Sequence, residues 1–139
     1  MLLGQEFNIE EYSWNVKVFY IIGSIPIEYI IDKLQEIGCS EEDLDKVYEN
    51  LYKNDKNRGV TYSNPITHES IIIIGDSSCP AEFQNSFDHE KHHLATHIAK
   101  DFNIDPYGEE LAYLVGRIGL EMFPVAKRFL CEHCREKMK

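Results

Sequence analysis

The chain has 139 residues and a mass of 16.2 kDa, with 43% hydrophobic and 27% charged residues. That length suits one domain with a buried core and is short for two. Its 14 Lys and Arg against 24 Asp and Glu leave a formal net charge of -10, which repels phosphate backbones and excludes nucleic acid as a main partner.

From the start of the chain, Met1 to Glu11 is acidic and has no apolar signal core, so no secretion leader is expected. Trp14 to Gly23 carries Trp14, Val16, Val18, Tyr20 and Ile22 on one face, the period of a strand. Pro26 opens a helix with Ile27, Ile30, Ile31, Leu34 and Ile37 at helical spacing, and Gly38 stops it. Ser40 caps the next helix, whose first turn holds Glu41, Glu42 and Asp43 and whose stripe is Leu44, Val47, Tyr48 and Leu51. Residues 53 to 59 predict a polar loop. Gly59 to Gly75 predicts two strands joined by a turn at Asn64-Pro65, with His68 exposed in that turn. The second strand, Ser70 to Ile74, is apolar on both faces and belongs inside the fold or under a helix. Pro80 suits the first turn of a long helix reaching Lys100 or Asp101. Another helix is expected from Asp105-Pro106 to Phe123, interrupted by Pro124, followed by a basic amphipathic tail, Val125 to Lys139. The order βααββααα is an α+β layout in one continuous domain, 1–139, with no repeat or linker. Apolar runs as short as Ile71 to Ile74 do not span a membrane, and the four cysteines are too few for a disulfide scaffold, so a cytoplasmic setting follows.

Four of the six histidines fall within residues 89 to 97. His89-Glu90-Lys91-His92-His93 fits His-Glu-x-x-His. Two histidines four apart stand one turn above each other on a helix, so both imidazoles can reach one metal ion. Glu90, one step round the helix, is placed to touch a metal-bound water. Zinc lowers the pKa of such a water toward neutrality, and a carboxylate can take its proton as it attacks a carbonyl. At about 100° per residue from His89, Phe83, Phe87, Leu94 and Ile98 form a core face near about 120° to 180°. His93, His97 and Glu90 lie between His89 and that face, while His92 points away. Glu109 and Glu110 on the next helix are candidates for a third ligand. Glu110 flanks the packed stripe of Leu111, Leu114, Val115, Ile118 and Met122, and Glu109 lies nearly opposite it, which favours Glu110. His97 is a further alternative ligand, although three turns of one straight helix surround an ion poorly. Tyr107, Tyr113 and Arg117 are candidate oxyanion donors, each with a plainer reading as an ordinary aromatic or helix charge. Cys131-Glu132-His133-Cys134 resembles half a structural zinc site without a matching second pair.

The strand IIIIG, the run HEKHH and the helix GEELAYLVG together resemble the zincin metallopeptidases, most closely the gluzincin type and the small ImmA/IrrE-type phage or mobile-element proteases. The resemblance covers about residues 60 to 123 and marks that stretch as the catalytic core, with 124–139 a short helical tail. It implies a small zincin-like domain in which a short, mostly antiparallel sheet packs against an active-site helix and further helices. By residue it implies one zinc ion on His89, His93 and Glu109 or Glu110, and Glu90 as general base. The gap to the glutamate is short for the family, and its Leu-Leu-Met-Pro helix ending is replaced by Met122-Phe123-Pro124. The expected function is hydrolysis of a peptide or protein substrate, with strand 70–74 beside the cleft and able to hold an extended peptide by β-addition. The alternative is a non-catalytic, metal-stabilised interaction protein that docks a basic partner on its acidic surface. A helical binding module with no metal is a third reading.

Overall fold

The computed structural model describes residues 1–52 and 58–138. Two strands lead, β1 (Leu2–Ile9) and β2 (Trp14–Ile21), joined by a single 3-10 turn at Glu10–Tyr12. Helices α1 (Ile27–Glu36) and α2 (Glu41–Tyr52) precede the hairpin of β3 (Gly59–Asn64) and β4 (Glu69–Ile74). Then come α3 (Pro80–Phe102), α4 (Glu109–Ala126) and the short α5 (Glu132–Glu136). The sheet order is β1-β2-β4-β3, with β2 and β4 parallel and both outer pairs antiparallel. The fold is α+β. The part of the predicted loop at 53–57 lies outside the described residues.

Strand parity sorts the core into two layers. Trp14, Val16, Val18 and Tyr20 of β2, with Ile72 and Ile74 of β4, pack against Phe83, Phe87, Leu94 and Ile98 of α3 and Leu111, Leu114, Ile118 and Met122 of α4. The opposite parity, Phe19, Ile21, Ile71 and Ile73, packs against Ile30 and Leu34 of α1 and Val47 and Leu51 of α2. Helices therefore cover both faces of the sheet. A central strand in that position needs apolar side chains on both faces, which is why β4 is a run of isoleucines. The same fact corrects the expectation for strand 70–74: it pairs with β2 and β3 on its two sides and offers no edge to a peptide. The edge strand beside it is β3. Because β4 pairs with β2, the 60–123 stretch is also built onto the N-terminal strands rather than standing apart from them.

Local signals account for most boundaries. Ser40 Oγ accepts the Asp43 N–H at 3.2 Å, and Gly38 adopts φ +91° just past α1, as a helix stop requires. Pro80 occupies the first turn of α3. Helix α4 starts later than expected because Asp105 folds a turn of its own: its Oδ1 accepts the Tyr107 N–H at 2.9 Å and its carbonyl accepts the Gly108 N–H at 3.2 Å. It also runs past Pro124, which lies inside the helix near its end and removes only its own N–H donor. His68, expected to be exposed, is instead stacked on Trp14 at 4.8 Å between centroids, with Nε2 2.9 Å from Asp101. Among the described residues no helix is long and apolar enough to cross a membrane.

Candidate metal centre

Helix α3 lies along β3 and β4, and burial changes steadily around its edge. His89 and His93 are exposed, His97 is half-buried, and Glu90 is only 1% exposed. That gradient follows the helical phase, in which His89 is farthest from the core face and Glu90 nearest to it. Glu90 touches β3 near Thr61, and His97 touches it at Ser63.

The His89 and His93 Nε2 atoms converge to 3.0 Å. That contact is a hydrogen bond in which one ring nitrogen carries the proton; with that proton displaced, the two nitrogens would face one metal ion, half of a tetrahedral site. Glu90, on the same helix, packs against β3. Thr61 Oγ1 lies 3.0 Å from Glu90 Oε1 and 3.1 Å from the Glu90 carbonyl, so its single proton serves either. Gly59 makes room for the carboxylate: a Cβ there would lie 2.9 Å from Glu90 Oε2 and 3.0 Å from the Ile73 carbonyl. Pattern reasoning missed Thr61 and Gly59, which are visible only once β3 is known to run beside α3.

The expected third ligand does not join the pair. Glu110 sits in the first turn of α4, and its Oε1 accepts the Tyr12 hydroxyl at 3.0 Å. Tyr12 in turn packs on Phe102 at the C-terminal end of α3, with centroids 5.0 Å apart. Burial and then the Glu110 carboxylate hold the Tyr12 phenol above its ordinary pKa. Glu110 is exposed and turned toward Tyr12 in the turn after β1. Glu109 is exposed. Among the described residues no three His, Cys, Asp or Glu side chains gather as a metal cage. Among the described residues the two histidines supply two donors, one protein ligand short of a catalytic zinc site. Tyr107 and Tyr113 are exposed, and Arg117 is held by Glu11 at 2.8 Å and Glu121 at 3.1 Å.

His97 belongs to a different network. Trp14 Nε1 donates to Ser70 Oγ at 2.8 Å, Ser70 and Ser63 share a proton at 2.6 Å, and Ser63 Oγ meets His97 Nδ1 at 2.7 Å. Indole N–H can only donate, so the order that uses every proton runs from Trp14 to Ser70 to Ser63 to His97. His97 is then neutral with its proton on Nε2, where it has no lone pair for a metal. Burial, and then the charges of His93 and Lys100, hold its pKa below the ordinary 6.5. As pH falls below that value the unfolded chain binds a proton that the folded chain refuses, so native stability declines from there downward and is unaffected above. Urea unfolding on either side of pH 6.5 should show this decline, and His97→Gln should flatten it. An unchanged slope in the variant would assign the effect to another group.

Comparison with known proteins adds no relative: no family model, no curated protein and no solved structure matches this chain.

Proposed function

We propose that the chain is a zinc-dependent metallopeptidase-like hydrolase acting on a peptide or protein substrate. The observation that carries this reading is the 3.0 Å approach of His89 and His93 Nε2 on α3, with Glu90 of the same helix turned onto the edge strand β3 at Thr61. When bound, zinc supplies a water acidified toward neutrality. The chain's own part is to hold the ion on His89 and His93 and to keep a carboxylate, Glu90, fixed beside it through Thr61. An extended peptide would add to β3 rather than to β4. The net charge of -10 supports a protein rather than a nucleic-acid partner, and the absence of disulfides among the four cysteines supports a reducing, cytoplasmic setting.

A second reading, a non-catalytic metal-stabilised interaction protein, is favoured by one specific feature. Glu90 is enclosed by β3, and among the described residues no third donor stands at the pair. The two readings separate on Glu90→Gln, whose amide has nearly the same shape and cannot take a proton from water at neutral pH. The variant should keep zinc and fold and lose hydrolysis of denatured protein substrates. Wild-type turnover in the variant would mean that Glu90 is not the base, and zinc binding with no turnover in either protein would leave the interaction protein as the better account.

A further inference from the structure

The C-terminal turn holds a second chemical group independent of the histidines. Cys131 is the N-cap of α5 and Cys134 lies within its first turn, both exposed. Their Cα separation depends on the backbone of Glu132 and His133 alone, and both of those are helical. Three helical steps give about 5 Å. A disulfide needs roughly 4.4 to 6.8 Å, so the bond can close without moving the backbone. The turn is fixed on both sides: Phe129 is buried in the core, Met138 packs against it, and the buried Arg135 donates to the Ser77 carbonyl.

We propose that Cys131 and Cys134 are a redox-active dithiol that exchanges with disulfides, with Cys131 the attacking thiol and Cys134 the resolving one. The helical spacing makes the pair, and the unequal acidity of the two thiols sets the order. Cys134, first through its backbone N–H and then through its thiol, holds the Cys131 thiol below its ordinary pKa. The neighbouring Cys131 in turn raises the Cys134 thiol. In the reaction, the Cys131 thiolate attacks one sulfur of a small-molecule disulfide, forms a mixed disulfide and expels one thiolate. Cys134 then loses its proton to solvent, attacks the Cys131 sulfur and expels the second thiolate. The two cysteines give up two electrons, and one external disulfide becomes two thiols. Cys39 is not expected to compete: burial, and then the Asp43 charge, push its thiol up to about 11.

The full-length chain treated with oxidised glutathione, quenched by alkylation and mapped by peptide mass tests this directly. The 131–134 segment should lose two hydrogens while Cys39 and Cys79 are recovered as alkylated thiols. Cys134→Ser should trap a glutathione adduct on Cys131, and Cys131→Ser should form its adduct on Cys134 much more slowly. Both positions are exposed, so neither change threatens the fold. Adducts forming first on Cys79, equal rates in the two variants, or thiols that stay reduced and are shielded from alkylation by added zinc would overturn the proposal.

Discussion

A variant carrying both His89→Ala and His93→Ala loses zinc binding altogether, and each single change loses most of it. The expectation rests on geometry. Two ring nitrogens 3.0 Å apart act as one chelating unit, and removing either leaves a single exposed imidazole. Both side chains are exposed, so alanine creates no cavity and circular dichroism should not change. Glu110→Ala should leave zinc binding nearly intact, because its carboxylate is engaged by Tyr12. Zinc measured per chain after dialysis decides each case. Stoichiometric zinc in the double variant would move the metal elsewhere, with Cys131 and Cys134 the next donors to change. A large loss in Glu110→Ala would mean that the first turn of α4 leaves Tyr12 and swings to the histidine pair when metal binds.

The histidine pair was legible because it is a local feature, four residues on one helix, and the helix itself is announced by Pro80 and a 3.6-residue apolar period. The third ligand was not, because it depends on how α4 is set against α3, and one helical wheel carries no information about which neighbour a margin faces. Strand β1 was missed for a related reason. Its inward row is Leu3, Gln5, Phe7 and Ile9, and Gln5 breaks the apolar alternation. That polar residue is satisfied by partners far away in sequence: Tyr20 donates to its Oε1 at 2.9 Å, and its Nε2 donates to the Glu121 carbonyl at 2.6 Å. The Trp14–Ser70–Ser63–His97 network is equally nonlocal. It exists because Ser63 and Ser70 are opposite each other in the hairpin register, which no single segment reveals.

Ile72→Ala should be among the most destabilising single substitutions in the chain, lowering the free energy of unfolding by about 2–5 kcal/mol. Ile72 is fully buried on β4, flanked by Val18 of β2 and Thr61 of β3 in the strand register, and it faces the layer formed by α3 and α4. Truncation there removes apolar contacts at the junction of sheet and helices, and neither paired neighbour can move in without breaking its own ladder. The comparison is Leu120→Ala on α4, where the side chain is 71% exposed and the expected change is within about 0.5 kcal/mol. Urea unfolding should move the midpoint of Ile72→Ala well below that of Leu120→Ala with the slope unchanged, as expected when stability changes and the exposed surface does not. A small effect at Ile72 would mean that β4 is not held between β2 and β3. It would also remove the reason to expect a rigid β3 beneath Glu90, since β3 is hydrogen-bonded to the sheet through β4.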